Sequence, residues 1–199
     1  MNRQADLRAR NLRTLGVLGG LFLLPLVLAF WVYYGTDWRP AQRVNHGELI
    51  VPARPLPDVR LRPALDGSPT PPQPFRRKWS LVYIGDGQCD AACRQSLYVM
   101  RQTRLALNND MTRVEQIFLV TSGCCASGFL SSEHPALLVL DGMDPAASAL
   151  VSTFPTTDRN QSLFIVDPLG NLMMRFDVRQ NPKGLREDLK KLLTLSHIG

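Results

Sequence analysis

No nucleotide-binding or hydrolytic signature runs through this 199-residue sequence. It has no phosphate-cradling glycine loop, no dinucleotide fingerprint, no Ser-His-Asp arrangement and no Cys/His spacing of a zinc site. Kinase, dehydrogenase and hydrolase chemistries therefore have no residues to act through. Histidine is scarce, with three residues: His46, His134 and His197. The basic residues lack the interleaved aromatics of a nucleic-acid-binding face. Half of the net charge of +6 is local, supplied by Arg3, Arg8, Arg10 and Arg13 against Asp6. No nucleic-acid partner is expected.

Charge is absent altogether from residues 15–34, which are apolar throughout. About twenty residues at a rise of 1.5 Å cross the hydrocarbon core of a bilayer. Gly16, Gly19, Gly20 and Pro25 are tolerated in membrane helices, and Trp31, Tyr33, Tyr34 and Trp38 gather at the far end as an aromatic belt. The preceding arginines place the N-terminus in the cytoplasm. The other reading is a cleaved signal peptide, but Phe30-Trp31-Val32-Tyr33-Tyr34 offers no small-residue cleavage site. The expected layout is a cytoplasmic N-terminus at 1–14, a transmembrane anchor at 15–35, a proline-rich linker at 36–78 and a folded domain at 79–199. In a Gram-negative bacterium this is a single-pass inner-membrane protein whose C-terminal domain faces the periplasm.

The linker carries Pro40, Pro52, Pro55, Pro57, Pro63, Pro69, Pro71, Pro72 and Pro74. Such a stretch is extended and semi-rigid, suited to a spacer. Within it Glu48-Leu49-Ile50-Val51 reads as a short strand, and His46 as a solvated linker histidine. The folded part begins near Phe75. Strands are expected at 80–84, 114–121 and 162–166, with a hairpin partner at 171–176 after the Asp167-Pro168-Leu169-Gly170 turn. Helices are expected at 93–107, 144–151 and 182–195, with a loop at 123–128 and a brief apolar element within 134–140. This order, a βαβ start and a β-hairpin plus helix finish, is the thioredoxin-like α/β arrangement behind a single N-terminal transmembrane helix.

Four cysteines are not spaced as a stapling framework, and a domain of this size does not need staples. Their value is chemical. Cys89 and Cys93 follow a buried strand and a Gly-rich turn, Gly85-Asp86-Gly87-Gln88, as a helix begins. Four residues apart on one helical face, two thiols can form a disulfide or bind a soft metal, and a helix N-terminus favours thiolate. Cys89, nearer the turn, is expected to be the more exposed. The pair falls at the carboxyl end of the first strand, where open α/β sheets place their chemistry.

Cys124 and Cys125 are adjacent, and neighbours in sequence are not expected to bridge each other. They are either incidental loop residues or, if the first two strands are parallel neighbours, sulfur donors close to Cys89 and Cys93. A third thiolate suits Cu(I). His134 reads as an ordinary loop histidine, with a metal-ligand role as the alternative, and His197 has no assigned role.

Anchor, spacer, Cys-x-x-x-Cys and Ile165-Val166-Asp167-Pro168-Leu169-Gly170-Asn171 together resemble the Sco/SenC family. Its members are membrane-anchored thioredoxin-fold proteins that help assemble the copper centre of cytochrome c oxidase. Asn45-His46-Gly47-Glu48-Leu49-Ile50 and Lys78-Trp79-Ser80-Leu81-Val82-Tyr83-Ile84-Gly85 are similar to small transmembrane proteins encoded with oxidase assembly genes in proteobacteria. The resemblance implies thiol–disulfide exchange, Cu(I) handling, or both, at Cys89 and Cys93, with an oxidase subunit or copper-delivery factors as partners. It also implies a histidine just before the strand leading into Asp167, but that neighbourhood reads Thr157-Asp158-Arg159-Asn160-Gln161-Ser162. Cys124, Cys125 and His134 are the candidate replacements in the metal set. The proline usual after the first cysteine is replaced by Asp90, and Pro155 is the nearest candidate for a cis proline facing the pair. A non-redox interaction module that docks on an oxidase subunit is the competing reading.

Overall fold

The computed structural model describes residues 2–35, 45–65, 70–196 and 198. Trp38, Pro40, Pro69 and His197, named above, lie outside the described residues. The chain divides into two compact units, 1–43 and 44–199.

In the first unit, helix α1 runs over Asn2–Gly35. Its segment Arg10–Gly35, 26 residues, is long and apolar enough to cross a membrane. At 1.5 Å per residue it reaches about 39 Å, against a hydrocarbon core of about 30 Å. Leu21, Phe22, Phe30 and Trp31 are all exposed along it. A helix apolar on every side needs apolar surroundings on every side.

The second unit is built on a six-stranded sheet of order β1-β6-β5-β2-β3-β4. The strands are β1 (Glu48–Pro55), β2 (Trp79–Asp86), β3 (Val114–Ser122), β4 (Leu137–Asp141), β5 (Ser162–Val166) and β6 (Asn171–Asp177). β2, β3 and β4 pair in parallel, and the other contacts are antiparallel. The apolar run of β2 is buried on both faces, as a central strand requires. Leu81 and Tyr83 join Phe118 and Phe176 in one core beneath helix α2 (Ala91–Leu105) and helix α5 (Pro182–Leu195). Val82 and Ile84 join Ile117, Leu119 and Phe164 in a second core, closed by Leu150 and Phe154 from helix α4 (Ser148–Thr153) and its exit.

Three elements differ from the sequence reading. Helix α2 begins at Ala91, not at Cys93, because Asp90 caps it by accepting from the Cys93 amide at 2.9 Å. A short helix, α3 (Ser127–Glu133), follows the second loop, held by Leu130 in the core. The folded unit also takes in most of the expected spacer. β1 pairs along β6, and residues 56–65 then cross the second face of the sheet with Leu56 and Leu61 buried. They reach the far edge, where the Asp141 amide donates to the Arg62 carbonyl and the Ala64 amide to the Val139 carbonyl, both at 2.9 Å. Buried Leu56, Leu61 and Phe75 are core residues, so the proline-rich stretch straps the domain rather than spacing it.

His46 is likewise no free linker side chain. Its amide and that of Gly47 donate to the buried carboxylate of Asp188 on α5, at 2.9 and 2.8 Å. Its ring nitrogen Nδ1 lies 3.3 Å from the same carboxylate.

Candidate dithiol site

The turn after β2 is tied to the loop after β3. The Gly87 amide donates to the Ser122 carbonyl and the Ala126 amide to the Gly87 carbonyl, both at 2.8 Å. A side chain at Gly87 has no room, since its Cβ would lie 2.4 Å from the Gly123 carbonyl oxygen and 3.0 Å from Cys124 Cα. Asp86 secures the turn by accepting from the Gln88 amide and from Ser122 Oγ, each at 2.7 Å. These two bonds hold its carboxyl below the usual carboxylate range. Cys89 then adopts a left-handed backbone, φ +53°, which turns the chain into the cap at Asp90.

Cys89 and Cys93 are joined in a disulfide with Cα atoms 5.0 Å apart. Only Cys93 belongs to α2, while Cys89 precedes the cap. Each is 2% exposed, so the expectation that Cys89 is the more accessible is not met. The bond to Cys93 draws both sulfurs into the core shared with Tyr83, Leu97 and Phe118. Arg94 Nε donates to the Cys89 carbonyl at 3.2 Å, and its guanidinium stacks 4.5 Å from the Phe129 ring centroid. Phe129, on α3, packs against that same core. His134 follows α3 and meets Phe129 edge to face at 5.3 Å. It stands between α3 and β4 and is buried, and burial beside Arg101 pushes its pKa below the ordinary value.

Cys124 and Cys125 are bonded to each other, contrary to expectation. Their Cα atoms stand 3.1 Å apart across a cis peptide bond. The expected proximity of the two loops is present, and Cys125 packs against the core containing Cys89 and Cys93. No group of three or more His, Cys, Asp or Glu side chains is gathered for a metal among the described residues. His134, Cys124 and Cys125 therefore do not complete a ligand set around the Cys89–Cys93 pair in this oxidised form. Spent on each other, the second pair's sulfurs are not free donors, and His134 is engaged with Phe129.

The loop before β5, where the resemblance places a histidine, lies on α2. The Asn160 carbonyl accepts from Tyr83 Oη at 3.2 Å and from Ser96 Oγ at 3.4 Å, one turn beyond Cys93. Burial, with Asp90 and Asp86 nearby, pushes the Tyr83 phenol upward, so it stays a neutral donor. Pro155 follows a trans bond. Arg94, Phe129 and Tyr83 were not singled out by sequence. Of the three, only Arg94 had a signal, its position next to Cys93.

An α/β sheet with a disulfide-forming pair at the carboxyl end of its first core strand, one cysteine in the following helix, defines a thioredoxin-like protein. Residues 79–196 match the family described as "Transmembrane-like, thioredoxin-like, C-terminal domain", and the chain belongs to that family. No curated relative matches it. Among solved structures, apo Sco1 from Thermus thermophilus is similar with a TM-score of 0.59 and 20% identity, over 77% of this chain and 100% of that one. Yeast Sco1 with copper bound is similar at 0.60 and 16%, over 71% and 94%. Bradyrhizobium japonicum ScoI with copper bound is similar at 0.54 and 20%, over 69% and 98%. The domain thus shares its thioredoxin-like fold with these Sco proteins.

Proposed function

We propose that this protein is a membrane-anchored, Sco-like accessory factor for assembly of the cytochrome c oxidase copper centre, working through Cys89 and Cys93. The observation that carries the reading is the placement of that pair, closed as a disulfide at the carboxyl end of β2. In the exchange reaction the Cys89 thiolate attacks a partner's disulfide to give a mixed disulfide. Cys93 then displaces the partner's remaining thiol, leaving Cys89–Cys93 oxidised and the partner holding two thiols.

Reduced, the same two sulfurs suit Cu(I), which favours soft thiolate donors. Copper is then cargo, handed to an oxidase subunit or taken from a delivery factor by ligand exchange. The apolar segment Arg10–Gly35 supports an inner-membrane anchor, and the arginines before it support a cytoplasmic N-terminus with the domain in the periplasm. The test is a Cu(I) competition titration on the reduced full chain in detergent, beside Cys89→Ser/Cys93→Ser. One-to-one binding that disappears in the variant supports copper handling. Equal weak binding in both leaves exchange chemistry, read by partner reduction.

Burial of both cysteines to 2% favours a second reading, a docking module for an oxidase subunit that uses no thiol chemistry. Complete complementation by the cysteine-free protein would establish it.

A further inference from the structure

We infer that the Cys124–Cys125 cystine is a second redox centre, relaying electrons between an external dithiol and the buried Cys89–Cys93 pair. The inference rests on the thiol-exchange reading and adds a route to it. Cys89 and Cys93 are each 2% exposed, and Arg94 and Phe129 pack beside them. A thiolate from outside has poor access to such a bond. Cys124, by contrast, is exposed and Cys125 half-buried. The two centres end neighbouring parallel strands, and their loops are joined through Gly87 by two 2.8 Å backbone bonds. Gly87 lets the second loop come close, and Cys125 contacts the core that holds the first pair. One pair faces solvent, the other is enclosed, and both follow the carboxyl ends of neighbouring parallel strands.

The steps balance. An external dithiol reduces Cys124–Cys125 and leaves as a disulfide. One of the new thiolates attacks the Cys89–Cys93 bond, forming a mixed disulfide between the loops and releasing one thiol. The second adjacent thiolate displaces the other sulfur. One S–S bond is broken and one re-formed, and two electrons and two protons pass from the second pair to the first.

The test uses the oxidised full chain in detergent, with dithiothreitol as the external dithiol and timed isotope-coded alkylation to count free thiols at each cysteine. Reduction at Cys124 and Cys125 should precede reduction at Cys89 and Cys93. In Cys124→Ser/Cys125→Ser, reduction of the first pair should slow by about tenfold, the direct route being set by access alone. Cys124→Ala/Cys125→Ala repeats the measurement if the serine variant loses its circular dichroism signature. Variants keeping one cysteine of each pair should trap a disulfide between the loops in at least one of the four combinations. An unchanged rate at Cys89–Cys93, or no cross-loop disulfide in any combination, overturns the relay while leaving direct exchange intact. A Cys89–Cys93 bond that no dithiol reduces under native conditions overturns the exchange reading itself.

Discussion

Removing the Asp188 carboxylate should destabilise the folded unit far more than a change at a single helix position ordinarily does. Asp188 lies on α5 with its side chain 2% exposed. It accepts from the His46 amide at 2.9 Å and the Gly47 amide at 2.8 Å, with His46 Nδ1 3.3 Å away. Hydrogen bonds to a charged acceptor contribute about 1.5–3 kcal/mol each, and a buried amide left without a partner costs about 1–3 kcal/mol. Two such amides, partly relieved if residues 45–47 swing into water, put Asp188→Ala at about 3–5 kcal/mol. Asp188→Asn keeps one oxygen and the shape, and should cost about half as much. Gly184 provides an independent arm, because a Cβ there would meet the His46 Cβ at 2.7 Å. Gly184→Ala improves helix propensity yet should destabilise by displacing His46. Guanidinium unfolding of the full chain in detergent, followed by circular dichroism, measures all three. A loss below about 1 kcal/mol for Asp188→Ala would refute the reasoning, since water would then be replacing the carboxylate at no net cost.

Gly87→Ala should lower stability by about 1–3 kcal/mol, because the added methyl meets backbone of the second loop that has no side-chain freedom to yield; equal unfolding midpoints for variant and parent would contradict it. His134 makes the protein less stable in mild acid. Its folded-state pKa lies below the ordinary 6.5, so the unfolded chain binds the proton first. Stability is fully present above about pH 6.5 and falls as pH drops through that value toward the folded pKa, with Arg101 adding to the effect and Glu133 opposing it. Unfolding measured between pH 7.5 and 5, beside His134→Gln, should show the slope and its flattening in the variant.

The core strands were legible because their chemistry is local. A strand buried on both faces is a continuous apolar run, as at 162–166, while 182–195 carries a helical period and, at Asn181-Pro182, a cap. Cys89 and Cys93 were legible through spacing and the turn before them. What escaped depends on distant partners. Leu56, Leu61 and Phe75 are core residues separated by prolines, with no period to mark them. His46 gains its role from Asp188, 142 residues away. Helix α3 lacks a side-chain cap and buries only Leu130, too little pattern for a helix. The bond between Cys124 and Cys125 depends on how the chain leaves β3, and residue identity alone does not specify that.

The strap across the second face also bears on how copies of this domain coexist on a crowded surface. An open sheet ends in two rows of unpaired amides and carbonyls, each a template for a strand from another molecule. At one end Pro52 and Pro55 deprive β1 of donors. At the other, residues 62–64 occupy the outer side of β4 through the bonds at Val139 and Asp141. One continuous stretch of chain thus blunts both margins of the sheet, so the domain resists edge-to-edge association however densely it is packed.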